Sequence, residues 1–231
     1  MSLYLWLDLL SVSVPLLVSF HPRIRLYRHW KGLFMAIFVT MVPYIIWDVY
    51  FTRNGYWGFN AEYLNGMYWL GLPVEEWLFF ICIPYACVFT HVALLELWPK
   101  LKLEESVTKY ITFVLLGIFA LLLFLNLDLA YTSVDMIFGL LALILAFLWN
   151  KELLRSFFIT FLFMLIPFFM VNGVLTGTAI PGNVVWYNDE QNLGIRLGTI
   201  PVEDTVYAFS LILFNLLLFQ AWSGKKPQSS D

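Results

Sequence analysis

The stretch "GLPVEEWLFF" at residues 71–80 returns as "TIPVEDTVYAF" at residues 199–209. Each copy places two adjacent carboxylates after a Pro-Val step and ahead of an apolar run, where charge is costly if the run lies in a membrane. Glu203 follows Glu75 by 128 positions, and the same offset carries Asn60 onto Asn188, Glu62 onto Glu190, Gly66 onto Gly194, Pro73 onto Pro201 and Glu76 onto Asp204. The shared pattern N-x-E-x3-G-x6-P-V-E-[ED] is an internal repeat. Upstream, Pro43 and Pro167 correspond, followed five residues later by Asp48 and Asn172, and "YLWLD" against "YTSVD" sets Asp8 opposite Asp135.

The surroundings of the motif decide the fold class. With 61% hydrophobic, 19% aromatic and 13% charged residues and a mean hydropathy of +0.79, the chain is too apolar for a soluble domain. A hydrocarbon core about 30 Å thick needs roughly 20 apolar residues as a helix. Runs near that length lie at 3–20, 32–51, 74–95, 107–127, 134–149, 156–176 and 202–222. They predict an all-α integral membrane protein with seven transmembrane helices, a multi-pass protein of the cell membrane. The first run lacks a preceding basic segment and an A-x-A cleavage pattern, so it reads as a retained helix. Cys82 and Cys87 share one apolar stretch, where a disulfide has no role. A net charge of -3 speaks against nucleic acid as a partner.

Basic residues set the expected orientation. Arg23, Arg25, Arg28 and Lys31 fall between helices 1 and 2, Lys100, Lys102 and Lys109 between 3 and 4, Lys151 and Arg155 between 5 and 6, and Lys225 and Lys226 in the tail. All lie on one side of an alternating bundle, against Arg53 and Arg196 on the other, which predicts the N-terminus outside and the C-terminus inside. The domain reading is a three-helix repeat over 1–100, a spacer helix over 101–130, a second three-helix repeat over 131–222, and a disordered cytoplasmic tail over 223–231. Because one helix separates the repeats, this 3+1+3 plan makes them parallel, related by an axis along the membrane normal. Both carboxylate pairs then share one leaflet, together with Asp8, Asp48, Asp135 and Asn172.

A single P-V-E is ordinary helix-start chemistry, since proline suits the first turn and the helix dipole favours an acid there. The duplication, with matching Asn and Gly upstream, favours a site. Adjacent helical residues point about 100° apart, so one acid of each pair faces the bundle axis; Glu75 and Glu203 are the expected inward pair, with Glu76 and Asp204 in support. His91, about 24 Å further along helix 3, reads as a packed histidine. No H-x-x-H, cysteine–histidine or G-x-G-x-x-G spacing is present, so neither a metal nor a cofactor is expected. The long outer loops, about 52–73 and 177–201, are dense in aromatics; they read as lids that bring Asn60, Asn188 and Arg196 over the carboxylates.

The doubled P-V-E-[ED] motif, followed by aromatics at the head of a membrane helix in a fused pair of three-helix units, resembles the membrane-embedded, heterodimeric-type lycopene cyclase family. The resemblance covers about residues 1–222 and is to the fused form without a phytoene synthase domain. It implies a redox-neutral lycopene β-cyclase of carotenoid biosynthesis. A proton adds to the terminal C1=C2 bond, C5=C6 attacks the cation, and C6 loses a proton. It implies Glu75, Glu203, Glu76 and Asp204 as catalytic residues. An alkene is a very weak base, so the acid must be kept protonated in a dry pocket, where burial raises a carboxyl pKa, and two acids forced together do not both ionise. Because the helix dipole favours the ionised form, burial must win, so the helix starts are expected to lie below the interface under the loops. Phe79, Phe80 and Tyr207, one turn further on, would stabilise the cation by roughly 0.5–2 kcal/mol each, and Asp48 and Asn172 would complete the substrate site.

The expected partners are lycopene or a related linear carotenoid and membrane lipid, with a homo-oligomer or other carotenoid-pathway enzymes left open. Two alternatives stand beside this reading. One is a cyclase of the same family that makes ε or γ rings or takes a C50 carotenoid; the other is a small 3+1+3 transporter. A retinal protein is excluded, because helix 7 has no lysine for a Schiff base.

Overall fold

A computed structural model describes residues 2–223. Residues 224–231, nearly all of the expected tail, lie outside the described residues. Among the described residues seven α-helices make up the bundle: α1 (Leu3–Val18), α2 (Trp30–Asn54), α3 (Val74–Leu97), α4 (Glu105–Leu125), α5 (Ala130–Trp149), α6 (Lys151–Leu175) and α7 (Glu203–Ser223). Six are long and apolar enough to cross a membrane; α1, with 16 residues, is shorter. Lys151 and Arg155, expected in a loop, lie in the first turns of α6. The cause is local: only Asn150 separates α5 from α6, and its side chain accepts from Leu153 N–H at 3.1 Å, capping the new helix at once.

The loops on either side of the bundle differ in chemistry. At one end the basic segments meet: Arg23 donates to Glu96 O at 2.9 Å, Arg155 to Leu103 O at 2.9 Å, and His29 Nδ1 lies 3.3 Å from Ser223 O. At the other end the two long loops retrace each other. Each runs through a short strand, a 3₁₀ turn and a tight hairpin before the next helix: β1 (Trp57–Phe59), β2 (Tyr68–Trp69) and β3 (Leu72–Pro73), then β4 (Val185–Tyr187), β5 (Arg196–Leu197) and β6 (Ile200–Pro201). Strands β1 and β4 pair antiparallel, with Trp57 opposite Tyr187, Gly58 opposite Trp186 and Phe59 opposite Val185. Asn60 N–H to Val184 O (2.9 Å) and Asn188 N–H to Tyr56 O (2.8 Å) extend the ribbon equally at both ends. Gly58 lets the Trp186 ring lie against the strand: a Cβ at this position would run into that ring and force it to move.

Lipid gives no hydrophobic drive for helix association, so shape decides which helices touch. Helix α1 packs on α3 and α5 on α7, as repeats should, and α4 lies along α5. One pairing breaks the symmetry: α2 packs along α7 much more extensively than its counterpart α6 packs along α3. The main core, around Leu33, Val88, Leu143, Phe157 and Leu213, fills the middle of the bundle. Nearer the ribbon, Tyr44, Trp47, Phe51, Trp57, Phe80 and Tyr131 form an aromatic core. Tyr44 meets Phe138 edge-on at 4.9 Å, a geometry that adds about 0.5–1.5 kcal/mol to the area buried.

Candidate active site

Four acids open α3 and α7, and all are buried: Glu75 is 1% exposed, Glu76 7%, Glu203 0% and Asp204 5%. Adjacent positions point in different directions, and the two members of each pair have separate partners. Glu75 Oε1 accepts from Asn65 N–H and Ser2 Oγ, both at 2.7 Å. Glu203 Oε1 accepts from Leu193 N–H at 2.8 Å and Thr132 Oγ1 at 2.7 Å. These first acids therefore pin the loops to the helix starts, satisfying part-buried backbone donors.

The second acids face inward. Glu76 Oε2 accepts from Tyr4 OH at 2.6 Å. Asp204 accepts from Tyr131 OH on Oδ1, and on Oδ2 from Asn172 Nδ2 at 2.7 Å and Tyr187 OH at 2.9 Å. Burial, followed by the charge of Asp204, holds the Tyr187 hydroxyl well above the ordinary tyrosine range, so it stays a donor. Behind Glu76, Asp48 Oδ1 accepts from Trp57 Nε1 at 2.7 Å and Thr52 Oγ1 at 3.3 Å.

Glu76 and Asp204 both line a cavity of about 600 Å³. Its polar end is closed by the ribbon residues Trp57 and Tyr187, with Tyr4 on Glu76 and Tyr131 and Asn172 on Asp204. The remainder is mostly apolar, with Leu7 of α1, Phe79 and Ile83 of α3, Met164 and Phe168 of α6, and Leu211 of α7, broken by Ser11, Thr90 and the hydroxyl of Tyr207. Along α3 the wall runs from Glu76 to Thr90, about 21 Å at 1.5 Å per residue. Leu10, Val14 and Met170 line the cavity yet are 61%, 62% and 70% exposed, so it opens sideways between α1 and α6 onto the apolar outer surface.

The repeat explains why the cleft is there. Where the α1/α6 side has Ser11, Val171 and Leu175, the equivalent positions on the α5/α2 side hold Phe138, Trp47 and Phe51. These rings pack into one cluster, Trp47 lying 5.0 Å from Phe138 and 5.6 Å from Phe51. The second cleft is filled, and the first is open.

Of the residues singled out in sequence, Glu76, Asp204, Phe79, Tyr207 and Asn172 meet at the cavity. Glu75 and Glu203, expected to face the axis, instead hold the loops; the helix phase that turns them away is set by Asn65 and Leu193. Phe80 lies behind the wall, 6.3 Å from Tyr44 in the aromatic core. Asn60 and Asn188 cap the 3₁₀ turns of the loops, accepting from Glu62 N–H at 3.1 Å and Glu190 N–H at 3.0 Å. Gly66 and Gly194 follow at positive φ, so this part of the motif builds the loops. Arg196 pairs with Asp189, donates to Thr199 O at 2.9 Å and stacks over Tyr187 at 5.8 Å, which places it outside the cavity wall. His91 is buried, with Nδ1 2.8 Å from Thr160 Oγ1. Sequence reading missed Tyr4, Tyr131, Trp57 and Tyr187. A signal for two of them existed, since "YLWLD" and "YTSVD" both begin with the tyrosine that binds the second acid.

A family model described as Lycopene cyclase matches residues 1–94 and 128–222. The unmatched stretch between them contains α4. No curated protein and no solved structure matches the chain.

Proposed function

The chain belongs to the lycopene cyclase family, a membrane protein of carotenoid cyclisation acting on a linear carotenoid, and from that premise we propose that it is a lycopene β-cyclase of the cell membrane, an intramolecular lyase in the isomerase sense. One observation carries this reading: a laterally open apolar cleft about 21 Å deep, closed at one end by two buried carboxyls. A polyene enters from lipid end first, with no charged group to accommodate, and its ψ end reaches Glu76 and Asp204.

A proton passes from a carboxyl to C2, leaving a cation at C1. The C5=C6 π pair forms the C1–C6 bond and moves the cation to C5; loss of the C6 proton to a carboxylate restores C5=C6 within the ring. One proton enters and one leaves, so the product is an isomer and no electron acceptor is consumed. The faces of Phe79, Tyr207 and Trp57 stand where the cation forms, and the ribbon excludes water that would trap it. The distribution of Lys and Arg supports a reading with this polar end at the outer face and the N-terminus out.

Expression in a host that accumulates lycopene tests the reading. β-Carotene by chromatography is the expected product. Unchanged lycopene beside folded protein in the membrane overturns the function, and ε or γ rings overturn the ring type alone.

A further inference from the structure

The two repeats place different side chains against their second acids, and the difference bears on proton transfer. At the position where α6 has Asn172, α2 has Asp48. Asn172 donates through Nδ2 to Asp204, alongside Tyr131 and Tyr187. Three donors converge on Asp204, the arrangement an anion satisfies and a protonated acid does not need.

Glu76 has a contrasting environment. Among the described residues it accepts from Tyr4 only, and two further carboxyls lie near it, that of Asp48 at hydrogen-bonding range and that of Asp8 close enough to act through its charge. Asp48 has Trp57 and Thr52 on Oδ1, while its Oδ2 meets no N–H or O–H donor. Two carboxyls, one 1% and the other 7% exposed, come together with too few donors for two anions. A hydrogen bond between them exists only if one of the pair holds a proton. Tyr207 of the other repeat lies 6.3 Å from Trp57, the residue that donates to Asp48.

Resting on the cyclase reading above, we propose that the repeats divide the acid and the base: Glu76, sharing a proton with Asp48, protonates C2 of the ψ end, and Asp204, held by Asn172, Tyr131 and Tyr187, removes the proton from C6. Asp48 is a positioning residue that supplies the shared proton without lining the cavity; Glu76 and Asp204 touch the substrate. The Glu76 O–H bond breaks as the C2–H bond forms, and the C6–H bond breaks as the Asp204 O–H bond forms. Each turnover leaves its proton on Asp204, and its return to Glu76 resets the site.

The test uses the full chain in lycopene-containing membranes, with product analysis. Glu76→Gln and Asp48→Asn should each cut conversion by at least about 100-fold and leave lycopene as the recovered pigment, the scale expected for loss of a general acid. Asp48→Glu, which keeps a carboxyl, should recover part of the turnover. Asp204→Asn should still consume lycopene but divert the cation, giving rings with a displaced double bond or a water-derived hydroxyl. In infrared spectra of the solubilised protein, a protonated-carboxyl band should vanish in Glu76→Gln and persist in Asp204→Asn, a readout that does not depend on Asp48→Asn folding. Wild-type turnover in Asp48→Asn, diverted products from Glu76→Gln, or loss of the band in Asp204→Asn alone would each overturn the division. If the wild-type protein leaves lycopene unchanged, the function fails; if it cyclises and the variants behave otherwise, only this assignment fails.

Discussion

Glu75 and Glu76 are neighbours in the chain yet serve opposite surfaces: Glu75 accepts from Asn65 N–H at 2.7 Å in the loop above, and Glu76 lines the cavity below. The same division recurs at Glu203 and Asp204. The duplicated motif therefore encodes two functions at once, a loop anchor followed by an acid at the cavity.

Glutamine at Glu75 or Glu203 keeps an oxygen that accepts from the loop N–H. Glu75→Gln and Glu203→Gln should therefore keep cyclisation within about 10-fold of wild type, whereas Glu75→Leu removes the acceptor of two part-buried hydrogen bonds and should cost about 1 kcal/mol or more. Thermal unfolding in detergent together with pigment conversion separates the two effects. A total loss of conversion in a stable Glu75→Gln protein would make the anchor a catalytic group.

Transferring the filled cleft of one repeat into the open cleft of the other should block the site. Ser11→Phe and Val171→Trp place the side chain size of Phe138 and Trp47 into the cavity. Conversion should fall by more than about 10-fold with little change in unfolding temperature, because the added rings fill an existing void and gain contacts with its wall, which offsets the burial of the indole N–H. Conversion at the wild-type rate would mean that the polyene lies elsewhere.

One open cleft admits one end group at a time. At limiting enzyme, a time course should show a product with a single ring rising before the product with two, detected by chromatography. Simultaneous appearance of both rings without a monocyclic stage would require a second site.

The ribbon that roofs the acids depends on Gly58. Gly58→Ala puts a Cβ into the Trp186 ring and should destabilise the fold by about 1–3 kcal/mol, as overpacking does. Trp186→Ala in the same chain should restore part of the loss, and a double-mutant cycle on unfolding temperatures measures that coupling.

The sequence by itself determined the membrane class, the helices, the repeat and the shared end of the acids. These follow from apolar run length and from an offset that recurs residue after residue, both properties of the chain's order. Which acid of each pair faces the cavity depended on helix phase, and a run apolar on every side leaves that phase unmarked. The loops set it, through backbone donors at Asn65 and Leu193 that need Glu75 and Glu203. The open cleft likewise appeared only in three dimensions, where Ser11, Val171 and Leu175 stand together on one side and Phe138, Trp47 and Phe51 close the other. Single substitutions scattered along two repeats have no collective meaning in sequence. Packing gives them one, since the cleft stays open only where all three side chains are smaller than the rings that close the other side.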